Sequence, residues 1–156
     1  MKAMQQNIME KNDKLYLSWI DINNLVDELC QQITSSKIEV KDIFGLQRGG
    51  LIPAVMISHR MSIPMTKGTI SSTTLIIDDI CDSGTTFNEY FTKHQVEYAF
   101  PFNLKTACLH FKPHTSNFIP TTWAKTLNSD DWIVYPWERE DSKTIQDYKV
   151  KVGESQ

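Results

Sequence analysis

Cysteine is scarce in this chain: three residues in 156, at positions 30, 81 and 108, with no CxxC pair among them. That spacing excludes a disulfide framework and a thiolate zinc site, and it fits a reducing cytosol. Long apolar runs are also missing, since none approaches the roughly 18 residues of a membrane span. There is no surplus of positive charge. Sixteen lysines and arginines face nineteen aspartates and glutamates, for a net charge of -3. A generic electrostatic grip on nucleic acid or on an anionic membrane is therefore not expected. No internal repeat or low-complexity tract occurs. Residues 1–14 are polar and of mixed sign, unlike a secretory signal or a transit peptide. What is present is ordinary for a globular, cytoplasmic chain, with 40% apolar and 22% charged residues,. The expected layout is a flexible segment over 1–14, one domain over 15–140 and a charged tail over 141–156.

Periodicity supplies the elements. Ile22, Leu25, Val26, Leu29 and Ile33 recur at steps of three and four, which predicts an amphipathic helix over residues 18–33,. Ser18 and Asp21 form a weak capping box at its start. A short apolar run, 43–46, stops at Arg48-Gly49-Gly50, and a second helix with Pro53 in its first turn follows and ends before Pro64,. Thr74-Leu75-Ile76-Ile77 reads as a strand buried on both faces. A third helix from about Thr85 carries Phe87, Tyr90, Phe91 and His94 on one side. Strands are predicted over 104–109 and, more weakly, over 123–127. The alternation implies an α/β fold with a mostly parallel sheet, whose ligands bind beyond the carboxyl ends of the strands.

Four of only six glycines fall in two short stretches that end predicted strands. One is Gly45-Leu46-Gln47-Arg48-Gly49-Gly50. The other follows Leu75-Ile76-Ile77 as Asp78-Asp79-Ile80-Cys81-Asp82-Ser83-Gly84-Thr85-Thr86. In the second, a hydroxyl- and glycine-rich turn opens a helix, and such a turn can cradle a phosphate with unpaired N–H groups. An ordinary helix cap has the same composition. Asp78 and Asp79 narrow the choice, because adjacent carboxylates repel unless hydroxyls and a hard cation such as Mg²⁺ occupy them. A diol plus a phosphate describes a sugar phosphate.

Residues 75–86 closely resemble the 5-phosphoribosyl-1-diphosphate (PRPP) signature of the type I phosphoribosyltransferases. The resemblance implies a parallel-rich sheet flanked by helices on both faces, with a small C-terminal base-binding segment. It assigns the ribose hydroxyls and Mg²⁺ to Asp78 and Asp79, and the 5-phosphate to Asp82, Ser83, Gly84, Thr85 and Thr86. Asp82 also matches the acidic position given a catalytic proton-transfer role toward the base. The Arg48, Gly49 and Gly50 turn resembles the diphosphate-binding loop, which in some members holds a non-proline cis peptide.

Two later segments, Phe111-Lys112-Pro113 and Asp131-Trp132-Ile133 through Glu138, resemble the xanthine-guanine branch. There the lysine donates to a purine 6-oxo group, the aromatic residue stacks on the ring and main-chain groups of the next residue read its far edge. These roles map to Lys112, Trp132 and Ile133. The implied reaction joins guanine, xanthine or hypoxanthine to PRPP, giving the nucleoside 5′-monophosphate and diphosphate. Taken singly, Trp132 reads as core packing and Lys112 as a solvated charge. His110 and His114 are read as a strand-end and a loop residue without carboxylate or cysteine partners, so no metal site is expected there, and Cys81 reads as packing. One departure is clear: between Pro64 and Thr74 lies only a short remnant of the loop that closes over the diphosphate in the family. That shortening keeps open a PRPP- or nucleotide-sensing regulator, while a transferase for a non-purine ring turns on whether Lys112 and Trp132 face the base. The shortening also suggests a homodimer or higher homo-oligomer, with Val55, Met56, Ile57 and Met61 as candidate surface and a partner chain near Arg48.

Overall fold

In the computed structural model, which describes residues 13–98 and 104–138, the first cap forms as its sequence predicts. The Asp21 amide donates to Ser18 Oγ at 3.1 Å and the Ser18 amide donates to Asp21 Oδ2 at 2.8 Å,. Helix α1 (Trp19–Ser36) buries Ile22, Val26, Leu29 and Ile33 and runs one turn beyond the predicted end, to a left-handed Lys37. Strand β2 (Asp42–Gly45) leads into helix α2 (Leu51–Met61), with Pro53 in its first turn,. Strand β3 (Thr74–Cys81), helix α3 (Thr85–Tyr98), strand β4 (Lys105–Phe111) and strand β5 (Thr122–Thr126) follow. Of residues 94–98 only the backbone is described, so the His94 side chain lies outside the described atoms. The segments expected over 1–14 and 141–156 also fall outside the described residues, Asp13 and Lys14 apart.

The four strands form one parallel sheet in the order β2-β3-β4-β5. Helices cover both faces. On one, α1 packs on β4 and β5, and α2 on β2 and β3, around Ile43, Leu75, Ile77, Ala107 and Leu109. On the other, Phe87 of α3 packs with Ile76, Cys108 and Phe111. Parallel order, apolar residues on both faces and helical crossovers are the physical content of the α/β pattern.

The in-and-out alternation of β3 reverses where its chemistry begins. Leu75 and Ile77 face the α1/α2 side and Ile76 the α3 side, yet Ile80 packs toward α1/α2 and Cys81 toward α3. The switch falls at Asp78 and Asp79, whose carboxylates accept from the amides of Asp79 at 2.9 Å and Ile80 at 2.8 Å. Side chains thus bond amides that a regular strand would spend on its neighbour.

A separate two-stranded parallel sheet pairs β1 (Lys14–Tyr16) with β6 (Trp132–Val134). Ile133 and Tyr135 join the core from this segment, and the Tyr135 hydroxyl reaches the end of β3. The C-terminal segment therefore lies over the carboxyl end of the main sheet. Of the α2 residues considered as an interface, Ile57 is in the core, Met56 and Met61 pack against it, and only Val55 is exposed. No helix among the described residues is long and apolar enough to cross a membrane.

Candidate active site

Three loops meet at the carboxyl ends of β2, β3 and β4. The loop after β2 is tied to β3 by the Leu46 amide, which donates to the Ile77 carbonyl at 2.8 Å. Its Gln47–Arg48 peptide is cis. Gly49 lies directly on Asp79: a Cβ there would fall 2.7 Å from the Asp79 carboxyl carbon. The two glycine clusters of the sequence are thus one site, and Gly49 is what lets the Arg48 turn approach the carboxylate.

Asp78 and Asp79 are half-buried, and desolvation pushes both carboxyls above their usual range,. The effect is stronger at Asp78, where the neighbouring Asp79 charge adds to it. No lysine or arginine among the described residues forms an ion pair with either. The donors are hard oxygens, and a divalent cation would relieve their repulsion. No group of three or more potential ligands occurs among the described residues, so two carboxylates are what the protein itself offers.

Residues 82–84 form the turn into α3. Ser83 Oγ bonds Thr85 Oγ1 at 3.0 Å and accepts from the Thr85 amide at 3.3 Å, and the Asn88 amide closes on the Gly84 carbonyl at 3.0 Å. The first-turn amides of α3 lack intrahelical partners, as in any α-helix, and such amides are able to receive an anion. Gly84 has φ +81° and is buried against residues 117 and 118, where a Cβ would meet Phe118 Cβ at 2.6 Å. Its glycine requirement comes from this packing and backbone conformation. A substitution at Gly84 would damage the turn before it tested phosphate approach.

The loop after β4 wraps the turn. Lys112 is 5% exposed; its Nζ donates to the Asp131 carbonyl at 2.9 Å and lies 3.7 Å from Asp82 Oδ2. Thr115 Oγ1 contacts Asp82 Oδ1 at 2.7 Å, and the Asn117 amide donates to the Ser83 carbonyl at 2.9 Å. Lys112 is therefore not the solvated charge that its residue type alone suggests. His114, expected to lack a carboxylate partner, has one: Nε2 lies 2.8 Å from Asp130 Oδ1, brought there by the chain returning toward β6. Cys81 is packed, 1% exposed, with its thiol 3.3 Å from Ser116 Oγ. Burial raises its pKa, consistent with an unreactive thiol,.

Trp132 follows the carbonyl that holds Lys112 and is 53% exposed, so it is not a core residue. The Trp132 amide donates to Asp13, and the Val134 carbonyl accepts from Leu17. Because peptide groups alternate sides along a strand, the main chain of Ile133 faces away from β1. Its side chain is buried. The sequence reading missed Tyr135 and Trp137, whose rings stack with centroids 4.8 Å apart and planes 5° apart. The Trp137 indole nitrogen is buried without a partner among the described residues.

No protein-family profile matches the sequence. The chain is similar to the xanthine-guanine phosphoribosyltransferase of Idiomarina loihiensis, at 22% identity over 151 residues, covering 81% of this chain and 88% of that one. The crystal structure of a purine phosphoribosyltransferase from Pyrococcus horikoshii superposes with a TM-score of 0.66 at 28% identity, covering 85% of this chain and 99% of that one. A Neisseria gonorrhoeae protein crystallised with bound ppGpp superposes at 0.69 with 21% identity, over 85% and 93% of the two chains. The chain has the type I phosphoribosyltransferase fold, and it is similar in sequence and structure to purine phosphoribosyltransferases.

Proposed function

We propose that this protein transfers the 5-phosphoribosyl group of PRPP to a 6-oxopurine base, forming the nucleoside 5′-monophosphate and diphosphate. The observation that carries this reading is the meeting of three separate loops at one place. The Arg48–Gly49 turn lies on Asp79, and the Asp82 turn lies against Lys112 beside Trp132. A diphosphate, a phosphorylated diol and a flat ring bearing a carbonyl each find matching chemistry along that line. The likeness to named purine enzymes supports the same reaction.

In this account the amides and hydroxyls of Asp82, Ser83, Gly84, Thr85 and Thr86 hold the 5-phosphate. Asp78 and Asp79 hold the ribose hydroxyls and Mg²⁺; two adjacent half-buried carboxylates, with no ion-pair partner among the described residues, fit that ion. Arg48 and the Gly49 main chain receive the diphosphate. Bound magnesium supplies positive charge to the departing diphosphate. Trp132 stacks on the base, Lys112 donates to its 6-oxo group and the Ile133 main chain reads its far edge. The base is thereby fixed with N9 facing C1′. The N9 lone pair forms the new bond as the C1′–O bond breaks, and diphosphate leaves with that electron pair. The proton carried by the imidazole ring passes to Asp82.

A second reading, a nucleotide-sensing regulator, is favoured by the segment between α2 and β3. It is occupied by a bridge of Met65 to Ile43 and by tight turns around Gly68 and residues 71–74. No long hairpin that could close over the diphosphate lies there. The Neisseria neighbour was crystallised with a guanine nucleotide rather than named as an enzyme. We also propose a cytoplasmic homodimer whose partner approaches the Arg48 turn, with Val55 as the exposed apolar residue of α2. Product formation from PRPP, Mg²⁺ and each base separates the transferase from the regulator.

A further inference from the structure

We propose that Thr115 is a positioning residue for Asp82, and that it links base recognition at Lys112 to proton transfer at Asp82; this rests on the function proposed above. The Asp82 side chain is 53% exposed at the tip of a turn, so nothing in its packing fixes its orientation. Ordering such a side chain costs rotamer freedom and needs a directional contact. Lys112 does not supply one alone, because its Nζ is 3.7 Å from Oδ2, beyond hydrogen-bond distance,. Thr115 does. Its Oγ1 donates to Asp82 Oδ1 at 2.7 Å and also lies 3.0 Å from the Asp82 carbonyl. Tethering Oδ1 turns Oδ2 toward Lys112.

Thr115 is itself held from both sides. Its amide donates to the Lys112 carbonyl at 3.3 Å, and two residues on the Asn117 amide bonds Ser83 at 2.9 Å. The Asn88 side chain donates to Asn117 Oδ1 at 2.7 Å, and the His114 ring contacts Asp130. The loop is thus pinned to the phosphate turn, to α3 and to the chain entering β6. When a base carbonyl occupies Lys112, Thr115 remains as the contact that keeps Asp82 aimed at the ring.

The test is steady-state kinetics of Thr115→Val and Thr115→Ser with PRPP, Mg²⁺ and guanine. Loss of one hydrogen bond to a carboxylate should lower kcat about tenfold in Thr115→Val. The KM for PRPP should stay within about twofold, because the phosphate is held by amides rather than by Asp82 Oδ1. Thr115→Ser, which restores the hydroxyl, should return kcat to near the wild-type value. An active wild type with an unchanged Thr115→Val overturns the role of Thr115 and leaves the function standing. So does a Thr115→Ser variant as slow as Thr115→Val. A wild type that turns over no base overturns the function and this role together.

Discussion

The Tyr135 hydroxyl donates to the main-chain carbonyl of Asp79 at 3.1 Å, 56 residues away in sequence. Having one hydrogen to give, Tyr135 must accept from His110, whose Nδ1 lies 2.9 Å away,. The imidazole is therefore held as the Nδ1–H tautomer, and a hydrogen-bonded chain runs from β4 through the C-terminal segment to the main chain of Asp79. It fixes the proposed base-binding segment against the strand that carries the proposed ribose and magnesium ligands.

His110 is 2% exposed, and burial, with Lys125 and Lys112 nearby, lowers its pKa to about 4. In the unfolded chain it takes up a proton near pH 6.5, whereas in the folded chain it stays neutral until about pH 4. Its contribution is thus full above 6.5 and lost as pH falls toward 4. The loss is roughly 3 kcal/mol of unfolding free energy. Urea unfolding between pH 7.5 and 4 should show this extra slope in the wild type and not in His110→Gln. Equal slopes would mean that the ring titrates normally.

Asp78→Asn with Asp79→Asn should raise the melting temperature of the ligand-free protein, because the repulsion between two half-buried carboxylates disappears,. The same variant should lose Mg²⁺-dependent PRPP binding by calorimetry. Undiminished binding would remove these residues from the ribose and metal site.

Base choice is assigned to Lys112 and Trp132. Trp132→Ala should weaken base binding by about 1–3 kcal/mol, the range of aromatic–base stacking. Lys112→Met should penalise 6-oxopurines about tenfold or more and leave adenine little changed. Equal losses for guanine and adenine in the lysine variant would show that Lys112 acts through packing.

Much of the main sheet was legible because periodicity and core burial coincide there. The α1 stripe, the apolar run ending in Asp78 and the glycine at each turn are local signals. The boundaries moved where local signals fade. β3 continues through Asp78 to Cys81 although its alternation reverses, and the last strand spans Thr122–Thr126 rather than 123–127. Strands β1 and β6 are three residues each and pair across the length of the chain, so neither carries a period of its own. Within the site, the glycine clusters and carboxylates were readable as a pattern. Tyr135, His110 and Thr115 were not, because each acts through a partner on another element. A lone hydroxyl in the loop after β4 has no sequence signature. The meeting of Gly49 with Asp79 is likewise a property of neighbouring parallel strands, invisible until both are in one sheet.

The most direct test of the central claim follows PRPP and Mg²⁺ with guanine, xanthine, hypoxanthine, adenine and uracil, monitoring nucleoside monophosphate and diphosphate together. The account predicts equimolar formation of both products with at least one 6-oxopurine, and little or none with adenine or uracil. Saturable PRPP binding with no product from any base would contradict the transferase and establish the regulator in its place.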